Sequence, residues 1–370
     1  MEYCLTDLCE LIMGQSPDSS SCNKDGKGIP FYQGNADFGD KNPTPRNWCL
    51  QPKKIAKKDD ILISVRAPIG DLNIANEECC IGRGVAAIRM KSKECNRYYL
   101  YLFLESKSKY LQDCGTGSTF TAINKGVLET LKVNCPELKN QISIANEIEN
   151  IKTAIKYKNS ELLCLNEAVQ SEFVEMFGEN PVESGKWKVE KLEDISTVQT
   201  GGTPSRNHPE YFEGNIPWVT TANLGKNELT YEDAMEYISQ DAINNSATKI
   251  IPANSLFIGI RVGVGKCSIN RVDMCSNQDI CGLSGFDTTI INLVFLKKVL
   301  DSYSDFFENA KRGTTIKGIK SDTIKKLKIF IPELNIQNQF ASFIQQIDKS
   351  KFVVKQQIAD FQQLLDNKMQ

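Results

Sequence analysis

Pro136-Glu137-Leu138-Lys139-Asn140-Gln141 returns 196 residues later as Pro332-Glu333-Leu334-Asn335-Ile336-Gln337, with Ala145 then matching Ala341. Working outward, the correspondence continues in both directions. At the same offset Gly117-Ser118-Thr119-Phe120 meets Gly313-Thr314-Thr315-Ile316, and Ile123 meets Ile319. At 195, Arg66 meets Arg261, Gly70 meets Gly265, Ile74 meets Ile269 and Cys80 meets Cys275. At 187, Ile29-Pro30-Phe31 meets Ile216-Pro217-Trp218, and Leu5, Asp7, Gly14, Ser16 and Pro17 meet Leu192, Asp194, Gly201, Thr203 and Pro204. The offset only ever grows along the chain, as two copies of one domain differing by loop insertions require. A period this long excludes a solenoid, whose repeats run to tens of residues.

Each copy has two parts. The first, residues 1–135 and again 186–331, reads as mixed α and β. Ile61–Val65 and Leu256–Ile260 are short apolar runs that predict buried strands. Tyr98–Leu111 and Val299–Ala310 have helical spacing. The second part, residues 136–180 and 332–370, is a spacer rich in Gln, Glu, Lys, Leu and Ile. Apolar residues recur there every seven positions. Ile148, Ile155, Leu162 and Val169 form one row, with Ile151 and Leu165 in a second. Ile344, Ile358 and Leu365 answer the first row, and Ile347, Val354 and Phe361 the second. A sustained seven-residue repeat makes a long helix whose narrow seam needs a partner helix. About 35–40 residues give a rod of roughly 50–60 Å. The fold expected is α+β: two tandem mixed α/β domains, each followed by a long helix, the helices pairing as an antiparallel coiled coil. That pairing would put one domain at each end of a rod. Lys158 and Lys351 interrupt the rows, either snorkelling past neighbours or tuning the register.

The charge balance is near neutral, with 44 Lys and Arg against 46 Asp and Glu. The deficit is local. Residues 1–135 carry a net +2 and residues 186–331 a net +1, whereas residues 136–185 carry −5. A nucleic-acid binder of this charge needs a partner to supply much of the phosphate-neutralising surface. No apolar run is long enough to span a bilayer. The start Met1-Glu2-Tyr3-Cys4-Leu5 lacks the basic and apolar regions of a signal peptide, so a cytoplasmic protein is expected. Thirteen cysteines at irregular spacing fit that compartment. Cys79-Cys80 reads as buried reduced thiols or as a redox pair.

Catalytic patterns are missing. Gly259-Ile260-Arg261-Val262-Gly263-Val264-Gly265-Lys266-Cys267 has neither the spacing of a phosphate-binding loop nor the third glycine of a dinucleotide loop, and reads as a strand-end turn. The only histidine, His208, lies in a polar loop that has no histidine in the other copy. No adenosylmethionine loop or Asn/Asp-Pro-Pro-aromatic tetrad is present. No Cys-x-x-Cys pair suggests zinc. No cofactor and no metal are expected, and the repeated domains point to binding and assembly.

The openings Leu-x-Asp and Gly-x-Ser/Thr-Pro, the segment Ile216-Pro217-Trp218-Val219-Thr220-Thr221-Ala222-Asn223 and the Gly-Ser/Thr-Thr segment before Pro-Glu-Leu resemble target recognition domains. The stretch Val169–Gly178 resembles the end of that family's first spacer. The chain as a whole is similar to the DNA-specificity subunit of type I restriction–modification systems. The resemblance implies a subunit that is not itself an enzyme. Such a subunit reads two half-sites separated by a fixed gap in double-stranded DNA. It docks two adenine-specific methyltransferase subunits and optionally two restriction subunits, away from any membrane. Residue types able to read DNA on exposed loops are Arg66, Arg83 and Lys125 in the first copy. In the second they are Arg206, Arg261, Lys266, Gln278 and Lys317. Thr119 and Thr315, beside glycines, could take phosphates through backbone N–H groups. Arg66 and Arg261 recur, which points to backbone contact or structure, since two copies should read different bases. The rival reading is a protein-binding scaffold with duplicated domains and no role on DNA.

Overall fold

The computed structural model describes residues 1–117, 121–312 and 318–369. It divides into two compact units, Met1–Ser160 with Lys355–Gln370, and Glu161–Val354. Both divisions fall inside long helices, Leu138–Phe177 and Leu334–Met369.

The first unit is built on an antiparallel sheet in the order Cys9–Met13, Val85–Met90, Ile61–Ser64 and Leu72–Ile74. A five-stranded sheet stands beside it, with Ile29–Tyr32 and Cys79–Ile81 paired in parallel at its centre. The strand Ile61–Ser64 is buried on both faces. Ile61 and Ile63 enter one core with Leu5, Leu100 and Leu104. Leu62, one residue out of phase, enters another with Tyr32, Ile81 and Val85. Period-two geometry turns a continuous apolar run into a wall shared by two cores.

The second unit repeats the plan. Its main sheet runs Thr197–Thr200, Ile280–Ser284, Ser255–Gly259, Cys267–Asn270 and Glu228–Leu229. Leu256 and Ile258 face a core with Phe295, Leu296 and Phe330. Phe257 faces the other with Val219, Met274 and Ile280.

Two helix expectations need correction. The segment read as Tyr98–Leu111 is two helices, Arg97–Ser106 and Ser108–Asp113, because Lys107 adopts a ψ near 2° that closes the first. The segment read as Val299–Ala310 is also two helices, Leu293–Ser302 and Ser304–Ala310, parted at Tyr303, and the first begins earlier than expected, at Leu293. Asn292 caps it, its side chain accepting from the backbone N–H groups of Val294 and Phe295. Asn96 caps the first-unit helix the same way.

The stretch Gly259–Cys267 is a closed turn between strands. Gly259 N–H donates to Lys266 O at 3.0 Å, and Gly265 N–H donates to Gly259 O at 2.9 Å. Cys79 and Cys80 sit on opposite faces of one strand, in different cores. Burial pushes both thiols up to about 12, which leaves them protonated and poorly nucleophilic. Along the long helices, Ile148, Ile151, Val169, Ile344, Val354 and Leu365 are buried. Ile155, Leu162, Leu165, Ile347, Ile358 and Phe361 are half-buried. Of the apolar residues off those rows, Phe173 and Phe177 are buried, whereas Tyr157, Leu163, Phe352 and Val353 are exposed.

Candidate nucleic-acid interface

One construction occurs in both units, and it begins with a tight turn. In the first, Val85 N–H donates to Gly82 O at 3.0 Å, leaving Arg83 at the exposed tip. In the second, Ile280 N–H donates to Asn277 O at 3.3 Å, leaving Gln278 there. The Gly-x-Ser/Thr-Pro segment runs against each turn. Gly14 N–H donates to Val85 O at 2.9 Å, and Gly201 N–H donates to Ile280 O at 3.0 Å.

The approach explains why these residues are glycines. A Cβ on Gly14 would stand 2.1 Å from Gly82 O, and one on Gly201 would stand 2.3 Å from Asn277 O. Two residues on, the hydroxyl reaches the tip. Ser16 Oγ lies 3.4 Å from both the backbone N and Nε of Arg83, and Thr203 Oγ1 is hydrogen-bonded to Gln278 Oε1.

The repeated arginines lie alongside. Val65 N–H donates to Gly84 O at 2.9 Å, and Ile260 N–H donates to Asp279 O at 2.8 Å. Arg66 and Arg261 therefore follow strands that pair with the residue just past each tip. Arg66 is exposed. Arg261 is half-exposed and shares its charge with Asp279 at 3.1 Å. In the second unit Arg261, Gln278, Arg312 and Lys320 line one cleft of about 940 Å³. Arg312 and Lys320 escaped the sequence reading. The available signal was the position of Arg312 beside Gly313, where the first copy has Thr116 beside Gly117.

The remaining candidates are scattered. Lys125 opens a short helix and pairs with Glu129 at 3.3 Å. Arg206 is committed elsewhere: its two terminal nitrogens donate to the two carboxylate oxygens of Glu236 at 2.6 and 2.8 Å. Its guanidinium also lies 4.1 Å from the Phe212 ring centre. That pairing holds the Glu236 carboxyl below the usual range and raises Arg206 further. Lys266 lines a different cleft, with Cys267, Asp301 and Asp348. Thr119, Thr315 and Lys317 lie outside the described residues. His208 is exposed, with Nδ1 2.9 Å from Glu210 and its ring stacked on Tyr211. Among the described residues no cluster of His, Cys, Asp or Glu is arranged to hold a metal ion.

The family model for the type I restriction modification DNA specificity domain matches residues 1–164 and again residues 184–363. The chain belongs to that family. The resemblance carried by the duplicated motifs is thereby borne out, and the family's domain occurs twice, as the internal repeat requires. A protein assigned as the type I restriction enzyme MjaX specificity subunit of Methanocaldococcus jannaschii is 42% identical over 152 residues, 41% of this chain and 36% of that protein. The type I restriction enzyme EcoR124I/EcoR124II specificity subunit of Escherichia coli is 29% identical over 178 residues, 46% of this chain and 42% of that protein. These matches thus span well under half of the relatives' own length.

Among solved structures, the type I restriction–modification S subunit from M. genitalium aligns with all of this chain and 94% of its own, at a TM-score of 0.60 and 14% identity. A chain from a study of complex assembly and conformational transition of the type I R-M system aligns with all of this chain and 96% of its own, at 0.67 and 15% identity. At these identities the likeness is one of fold.

Proposed function

We propose that this chain is the DNA-reading subunit of a type I restriction–modification complex and carries no catalytic site of its own. Recognition domains at 1–135 and 186–331 each read one half-site of a bipartite duplex target. The observation that carries this reading is the exposed turn built twice on the same glycine clamp, with a different polar side chain at each tip. Shared scaffolding with a variable tip is what two readers of different sequences need. A pure protein scaffold would give no reason for that difference.

The heptad rows are the proposed seam of an antiparallel coiled coil. Three features support it. None of the twelve row residues is exposed. Glu147 pairs with Lys368 at 2.5 Å. Phe173 meets Phe340 edge-on, ring centres 5.7 Å apart. Partner numbers fall as the first helix advances, as antiparallel helices require. The exposed Tyr157, Leu163, Phe352 and Val353 then suit the docking of methyltransferase subunits, two in the complete complex, with restriction subunits as optional further partners. Those partners would also bring the basic surface this nearly neutral chain lacks. The place of action is the cytoplasm, where the DNA is; among the described residues no helix is long and apolar enough to cross a membrane.

The test is duplex binding by the full chain with and without the methyltransferase subunit. Tight, sequence-selective binding only by the complex is expected. A complex that binds all duplexes alike would overturn the proposal and favour the scaffold.

A further inference from the structure

Resting on that reading, we propose that Arg83 and Gln278 are the base-reading side chains of the two domains, Arg83 taking a guanine and Gln278 an adenine. They occupy the same position of the same turn, and the turns are held by matching backbone bonds to Gly14 and Gly201. Both are exposed. Both are held at one end by the clamp hydroxyl of Ser16 or Thr203. Among the described residues, neither the terminal nitrogens of Arg83 nor Nε2 of Gln278 has an intramolecular partner. A side chain already steadied by the clamp hydroxyl, with its terminal N–H donors still open, meets a base edge at little entropic cost.

The chemistry differs where the scaffold does not. The guanidinium presents two parallel donors, which match guanine O6 and N7. The carboxamide presents one donor and one acceptor, which match adenine N7 and the N6 amino group. The Thr203 hydroxyl occupies one lone pair of Gln278 Oε1 and leaves the second for that amino group. The neighbouring Arg66 and Arg261 are the same residue in both units, and what is common suits phosphate, which carries no sequence information. Arg206 is instead committed to Glu236, which takes one donor from each of its terminal nitrogens.

The experiment is selection of bound duplexes from a random library by the full chain with its methyltransferase subunits, for the wild type, Gln278→Arg and Arg83→Gln. Gln278→Arg is expected to change one specified adenine of one half-site to guanine and leave the other half-site intact. Arg83→Gln is expected to make the reverse change in the other half-site. Gln278→Ala and Arg83→Ala should each weaken binding to the wild-type target by about 10- to 100-fold with unchanged thermal unfolding. A wild type that selects a bipartite target while both exchange variants select the same one would overturn this assignment alone. A wild type that selects no target would instead remove the function on which it rests.

Discussion

Gln141, wholly buried at the start of the first long helix, accepts a hydrogen bond from the backbone N–H of Asn96 at 2.7 Å. Its Nε2 donates to the carbonyls of Glu94 and Pro136, both at 2.8 Å. Gln337 does the same in the second unit, accepting from Asn292 N–H at 3.0 Å and donating to Ile290 and Pro332. Each glutamine ties the first turn of a long helix to the capping residue of the helix beside it. The two bonding patterns coincide under the offset of 196, and a buried polar group with every partner matched fixes one geometry.

Gln141→Ala removes the partner of three part-buried backbone groups and should cost about 2–4 kcal/mol. The readout is the urea midpoint together with hydrogen exchange at residues 96–100, which should rise. Gln141→Met, similar in volume but without the bonds, should lose nearly as much. A loss confined to the alanine variant would mean that packing, not bonding, is what matters.

Gly14→Ala and Gly201→Ala force a methyl group into backbone carbonyls and should each destabilise by about 1–3 kcal/mol or more. Gly34 is the control. Its backbone is extended, and nothing lies within 4 Å of an added Cβ, so Gly34→Ala should leave the melting temperature within a degree or two. Equal melting of all three variants would refute the clamp.

Arg206→Ala should lower stability by about 1–2 kcal/mol, from loss of the bidentate pair and the ring contact, and change DNA affinity less than twofold. Arg206→Lys should not restore it, because an ammonium cannot bond both Glu236 oxygens in the same plane. Paired thermal melts and binding titrations separate the two effects.

Asp279→Asn releases Arg261 from its carboxylate. Affinity of the complex for any duplex should rise severalfold, with a salt dependence steeper by about one unit. An affinity gain limited to the cognate target would assign Arg261 to base reading instead.

Glu149 is held below the usual carboxylate range by the Tyr98 hydroxyl and, after that, by Lys41. The unfolded chain therefore binds this proton first as pH falls below about 4.3. The stabilisation is complete above that value and disappears as pH drops through the lower folded value. The difference in unfolding free energy between wild type and Glu149→Gln should be constant near neutrality and shrink below about pH 4. A difference that grows in acid would contradict the bonding seen.

The duplication, the central strands and both long helices were legible because each leaves a periodic trace: an offset, a period of two, a period of seven. The break at Lys107 left none, since one residue with ψ near 2° does not disturb the spacing of its apolar neighbours. The site was less legible for a physical reason. Whether an arginine is available depends on what faces it across a turn or strand. Arg206 meets Glu236 thirty positions away, and Lys266 turns toward another cleft. Arg83 and Gln278 fall together at the offset of 195, but their place at the tip of a turn depends on hydrogen bonds that the sequence does not display.

The turn and its glycine clamp are joined almost wholly through carbonyls and amide hydrogens, so the tip residue bears little of the structural burden. On the proposed reading, a single codon change there would retarget a domain while leaving the backbone bonds of the clamp in place. For a lineage under pressure to alter which sequences it recognises, that would be a short evolutionary step.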